Sequence, residues 1–317
     1  METKRLQRTA IGVALAAALA HPVTGLAQDA YDYTSVMLPG SVGSQAFGIN
    51  ERGRIAGNAF VDEGNIGFTY DVKKDRFDLV EDVAGFDITI ISANSNRGDL
   101  VGSVVDVTAD VQSGLLLDKR GNAHVFDHPD AVSGTSARAI NSSGTITGIR
   151  DSSDPDVILA GYIYDSRTET FTDIVPSALT IPQGINARGE VVGSAIFFTE
   201  NDPCNPGAAP GGIVRYGWFR SDEGDVRFFT VNGSPASARG ITDSGTIIGF
   251  TPGTESVGFV TGIPEGQCMD ISVGPEEVVA FPGANQTFAQ SITNSGTVVG
   301  QYVDADGAQQ TFVATPN

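Results

Sequence analysis

Gly48-Ile49-Asn50-Glu51-Arg52-Gly53-Arg54-Ile55-Ala56-Gly57 reads as the end of one strand, a tight turn and the start of the next. Asn50 suits the first turn position because its side chain can bond the backbone two residues on. Gly53 suits the fourth, where a hairpin closed by a type I turn needs a positive φ. The phrase returns at 93–102, 139–148, 184–193, 240–249 and 291–300. Its turn glycines are Gly53, Gly98, Gly144, Gly189, Gly245 and Gly296, at spacings of 45, 46, 45, 56 and 51 residues. A period of that size marks a stacked or radially repeated architecture.

Each unit holds four strand-like pieces. In the first they are Gln45 to Ile49, Arg54 to Phe60, Gly67 to Tyr70 and Phe77 to Val80. Short aromatic and β-branched runs separated by dense turn signals leave little room for helix, so the class is all-β. Four antiparallel strands in about 45 residues match one blade of a β-propeller. The sixth unit stops after its third strand at Phe312 and Val313, while an unassigned strand at 33–38 precedes the first. Pairing the two would close a six-bladed ring and hide two sheet edges. The reading is therefore one domain over 28–317, with repeats near 45–80, 90–128, 136–175, 181–231, 237–273 and 288–314. An open solenoid is the alternative, but it would need capping units that are not evident.

Residues 1–27 read as an export signal. Lys4, Arg5 and Arg8 precede the apolar run Ile11 to Ala20, and Gly25-Leu26-Ala27 supplies the small residues of a cleavage site. The run is too short to span a bilayer, which needs about 20 residues. A secreted, periplasmic or extracellular protein without membrane insertion, and monomeric, is expected. Removing that segment changes the formal charge from -19 to -21. Such a surface disfavours nucleic acid and anionic lipid and favours cations or basic partners. Cys204 and Cys268 suit a disulfide in an oxidising compartment, with two free buried thiols as the other possibility.

Ala46-Phe-Gly-Ile-Asn50-Glu-Arg-Gly53, Pro182-Gln-Gly-Ile-Asn186-Ala-Arg-Gly-Glu-Val-Val-Gly193 and Ala289-Gln-Ser-Ile-Thr293-Asn-Ser-Gly-Thr-Val-Val-Gly300 resemble the bacterial extracellular HAF-family repeats. The likeness covers nearly all of the chain beyond the export signal. It implies secretion and a propeller-like fold, and offers no catalytic residues to carry over. The second unit departs most, with Asn94-Ser95-Asn96 in place of Ile-Asn, so an irregular second blade is expected.

Candidate chemistry is sparse. His124 and His128 would lie about 13 Å apart along one strand, too far to share a metal, and read as surface residues. Nucleophile elbows, phosphate loops and Cys-x-x-Cys pairs are not found. The loops between second and third strands are acidic and would open on one face. Asp151, Asp154 and Asp156, with Asp304 and Asp306, are candidate calcium ligands, set against ordinary solvated loop acids. One variable column on the innermost strands, Phe47, Ser92, Arg138, Gln183, Arg239 and Gln290, would face a central channel. Arg138, Gln183, Arg239 and Gln290 could grip a carboxylate or sugar acid there, or the arginines could pair with loop acids and brace the blades. The segment 200–212 explains the 56-residue spacing and is either a recognition loop or a passive insertion.

The functional expectation is a non-enzymatic propeller binding a small ligand or protein partner by its acidic face, with calcium as an optional aid. The alternative is a carbohydrate- or lactone-active hydrolase or lyase with its site at the axis. A third possibility is a purely structural envelope component.

Overall fold

The computed structural model describes residues 30–62, 64–174 and 177–317; the expected export segment lies outside them. The chain is all-β in a propeller-like arrangement, and its only helical pieces among the described residues are short 3-10 turns at Thr199–Asn201 and Pro275–Glu277. After β1 (Tyr31–Val36) come β2 (Gly43–Ile49), β3 (Arg54–Val61), β4 (Gly64–Asp71) and β5 (Arg76–Val80), an antiparallel meander. The second meander is β6 (Ile88–Asn94), β7 (Leu100–Asp106), β8 (Val111–Leu117) and β9 (Ala123–Phe126). The third is β10 (Thr135–Ile140), β11 (Thr145–Asp151), β12 (Leu159–Asp165) and β13 (Thr170–Ile174). The fourth is β14 (Leu179–Ile185), β15 (Val191–Phe198), β16 (Ile213–Arg220) and β17 (Val226–Val231), extended by β18 (Ser234–Pro235). Then follow β19 (Ser237–Ile241), β20 (Ile247–Thr251), β21 (Val257–Thr261), β22 (Cys268–Ile271) and β23 (Val278–Val279). The last are β24 (Gln286–Ile292), β25 (Val298–Val303) and β26 (Gln309–Pro316).

The innermost strands touch in cyclic order, β2 to β6, β10, β14, β19, β24 and back to β2. β1 pairs antiparallel with β26 from Tyr31–Pro316 to Val36–Thr311. That strand begins two residues before the expected 33–38, leaving Met37 exposed and Leu38 buried in the core. The sheets differ from six separate sets of four. The third and fourth meanders join into one ten-stranded sheet through a single parallel bridge, Leu159 to Leu179, where Ile158 N–H donates to the Ala178 carbonyl.

Unit five also departs from expectation. Its expected range, 237–273, includes Cys268–Ile271, but β22 runs parallel to β17 of the preceding unit. There it satisfies the Phe228 and Asn232 N–H groups through Gln267 and Ile271 carbonyls. The two-residue β23 takes its place beside β21. Cys204 and Cys268 are joined in a disulfide with Cα atoms 5.6 Å apart, tying the 200–212 loop to β22. Buried Asp202 holds the same loop, accepting from Tyr216 Oη and Cys204 N–H.

The second unit is regular, contrary to expectation, because Ser95 does the work of the missing asparagine. Its Oγ accepts from Arg97 and Asp99 N–H just as Asn50 Oδ1 accepts from Arg52 and Arg54. Where asparagine is present it does a second job. Asn50, Asn141 and Asn186 donate their amide N–H to the Ser95, Asn186 and Thr242 carbonyls one repeat ahead. Asp243 N–H donates to Asn294 Oδ1, and Asn294 N–H donates to Glu51 Oε1, linking the last unit to the first.

Candidate functional site at the axis

The six innermost strands carry the same irregularity at the same place. Their registers shift between Ala46 and Gly48, Ile91 and Ala93, Ala137 and Ala139, Pro182 and Gly184, Ala238 and Gly240, and Ala289 and Ser291. The residue passed over each time is Phe47, Ser92, Arg138, Gln183, Arg239 or Gln290. A β-bulge leaves its extra residue unpaired and re-aims the side chain. These six, with Ile90, line one enclosed axial chamber of about 50 Å³.

The second glycine of each repeat makes the bulge possible. A Cβ at Gly102 would lie 1.8 Å from the Ile90 carbonyl oxygen, and one at Gly148 would lie 2.2 Å from that of Ser136. The bulged strand folds its carbonyl into the space a side chain would occupy. On Gly148 the third-strand ring of Tyr162 also rests, as Trp218 rests on Gly193. The recurring glycine followed by an aromatic strand is thus a packing unit whose product is the inward-aimed column.

Arg138 and Arg239 stand in that column as half-buried residues lining the chamber. The Nε atoms of both are buried without a hydrogen-bond partner, and neither side chain forms an ion pair among the described residues. Arg239 lies over the Phe250 ring, 4.7 Å from its centroid. Burial, then the neighbouring Arg138, pushes the Arg239 guanidinium down to about 9, so it still carries its charge at neutral pH. Burial likewise lowers Arg138. The bracing alternative required loop acids beside these arginines, and the structure does not supply them. Gln290 donates to Gln301 Oε1 at 2.8 Å, and Gln301 in turn donates to the Ala46 carbonyl.

Phe47, Gln183 and Arg239 also line a second space of about 110 Å³, which opens the chamber toward the face of the first-to-second-strand turns. Its rim carries Asn50, Asn94, Asn96, Asn141, Asn186 and Asn294, with Glu51 and Asp243 among them.

The acidic loop residues Asp151, Asp154 and Asp304 are engaged in hydrogen bonds close to their own turns. Asp151 accepts from Val132 and Ser133 N–H and from Ser133 Oγ, and despite burial these donors hold its carboxyl below the usual range. Asp154 accepts from Asp156 N–H, and Asp304 from Asp306 and Ala308 N–H. Among the described residues, neither set gathers three His, Cys, Asp or Glu ligand atoms within 4.8 Å.

A different cluster does, made of His128, Asp130 and Asp173, whose ligand atoms lie within 4.8 Å of one another. His128 is buried rather than superficial, edge-on to Phe171. Its Nδ1 accepts from Asp130 N–H and its Nε2 lies 3.3 Å from Asp173 Oδ1, while Arg150 grips Asp173 through both Nε and Nη2. A metal would have to displace both the Nε2 proton and Arg150.

No protein-family model and no curated protein matches this chain. Among solved structures, a luciferin-regenerating enzyme is similar with a TM-score of 0.55 at 9% identity, over 90% of this chain and 95% of that one. The β-propeller domain of the Trilobed protease from Pyrococcus furiosus, described as having an open velcro topology, scores 0.51 at 10% identity, over 86% and 97%. A streptogramin B lyase scores 0.49 at 13% identity, over 91% and 98%. At these identities the first two likenesses establish one thing: the chain has a propeller-like fold.

Proposed function

We propose that this is an exported, six-bladed propeller of the HAF-repeat kind that binds a small organic anion, a carboxylate above all, between Arg138 and Arg239 at its axis. The blade count rests on six bulged inner strands in cyclic contact, with the ten-stranded sheet read as two blades meeting at one bridge and β1 completing the last. Export rests on the N-terminal sequence pattern. The observation that carries the anion is the pair of enclosed guanidiniums without an acid. Burying an unpaired charge costs several kcal/mol, and such a cost persists where function needs it. A bidentate carboxylate supplies the missing acceptors. Binding thus moves from the acidic loop face to the opposite mouth.

Isothermal titration with lactate, gluconate and hexanoate, beside their uncharged amides, tests this. Binding of at least one acid, absent for its amide and lost in Arg138→Met/Arg239→Met, is the expected result. Equal binding by acid and amide, or retention in the double variant, overturns it.

A second reading is turnover of a sugar acid or its lactone at the same place, and Arg239 is the observation in its favour. A guanidinium lowered to about 9 gives up a proton more readily than an ordinary one. Two guanidiniums on a carboxylate also acidify the carbon beside it. The chamber lining holds neither histidine nor carboxylate to act as base, which places binding first. Following aldonolactones and unsaturated uronates by NMR distinguishes the two.

A further inference from the structure

The chamber and its mouth differ in what they can accept, and the difference narrows the ligand. A water needs about 10–15 Å³ of such space, so a chamber of about 50 Å³ seats a carboxylate and the carbon or two beside it. The rest of a larger acid must lie in the mouth, past Phe47, Gln183 and Arg239. There Asn94 also lines the wall, its Oδ1 packed against Gly48 and without a donor. Glu51 and Asp243 stand further out. Glu51 Oε1 accepts from Asn294 N–H, and the Asp243 oxygens accept from Ala187 N–H and the Asn294 amide, so both carboxylates are fixed over the opening. Arg52, Arg97 and Arg188 sit on the same turns but do not line the mouth; Arg188 is paired with Glu190 and lies close enough to Asp243 to offset part of its charge.

Resting on the axial-anion reading, we infer that Glu51 and Asp243 form a charge filter, so that the site selects hydroxylated monocarboxylates, of the sugar-acid class, and rejects acids carrying a second negative charge. The outer hydroxyls donate to the two filter carboxylates. A second carboxylate or a phosphate at the far end would meet them as like charges.

Gluconate and glucarate, alike in length and differing by one carboxylate, are the probes, with hexanoate as the tail without hydroxyls. The wild-type protein should bind gluconate about tenfold more tightly than glucarate at low salt, the gap shrinking as salt rises. Glu51→Gln/Asp243→Asn should close that gap to about threefold, read as the ratio of the two affinities within the variant. Equal binding of glucarate by the wild type, a preference indifferent to salt, or one untouched in the variant overturns the filter. Hexanoate binding above gluconate removes the hydroxylated tail yet leaves the anion site standing. If no acid binds at all, the underlying reading falls with it.

Discussion

Two arginine environments in this molecule invite comparison. At the rim, Arg150 lies against Asp173, which also faces His128, so each charge has a neighbour of opposite sign or a hydrogen bond. At the axis, Arg138 and Arg239 are half-buried like Arg150 but face each other's charge, glutamines, a serine and a phenylalanine. The rim arrangement is what a stable protein builds when it encloses an arginine. The axial one lacks that compensation and is costly without a partner. The same residue type thus braces the protein in one place and stands without a counter-charge in the other.

The sharpest way to break this contrast is to remove what aims the axial column. Gly102→Ala would drive a Cβ into the Ile90 carbonyl, so the bulge must flatten and stability should fall by about 3–4 kcal/mol. Gly207→Ala in the long outer loop, with positive φ but open space, should cost only about 1 kcal/mol. Urea unfolding of both variants decides whether the axis is as tightly packed as claimed. Near-equal losses would undo the argument from the bulge.

Next in size is the outer tether. Replacing Cys204 and Cys268 by alanine should cost about 2–4 kcal/mol and release β22 from β17, seen as faster hydrogen exchange over 268–271 with the axial strands unchanged.

The arginines themselves come third. Arg239→Met should raise stability by about 1–2 kcal/mol while abolishing anion binding, since an uncompensated buried charge is exchanged for an apolar side chain. Arg150→Met should lower stability, by about 1 kcal/mol at most because Asp173 is half exposed. The pH dependence has a sign. The folded value of Arg239, about 9, lies below its value in the unfolded chain, so the penalty is fully present below about pH 9 and is relieved as pH rises above it. Wild-type stability should therefore gain on Arg239→Met in alkaline solution, measured by denaturant titration. A variant less stable than wild type at neutral pH would restore the bracing reading.

The smallest effect belongs to His128. Burial, partly offset by Asp173, lowers its pKa from 6.5, so the unfolded chain takes up the proton first on acidification. Stability should fall as pH drops below 6.5 and level off beneath the folded value, and His128→Gln should flatten that slope. An unchanged slope would mean that the rim cluster is less enclosed than it is drawn.

Much of the wheel was readable without coordinates because its determinants are local. Asn50 and Gly53 specify a turn by their own backbone preferences, and the six turn glycines all adopt the positive φ expected, between 74° and 95°. Alternation along the inner strands was enough to single out Phe47, Ser92, Arg138, Gln183, Arg239 and Gln290 as one column. The fate of Cys268–Ile271 was not readable, since a strand's neighbour is chosen by which sheet edge has free N–H groups in three dimensions. Nor was the burial of His128, which depends on Phe171 from the following repeat.

The periodic turns, the alternation and the small residues opposite each bulge are properties of neighbouring amino acids, and the chain alone therefore determined an all-β repeat with an inward polar column. Whether loop acids would neutralise the two axial arginines was decided by distances between residues remote in the chain. Packing sent those acids to their own turns and left the guanidiniums alone with each other, because electrostatic pairing depends on separation and enclosure, and composition specifies neither.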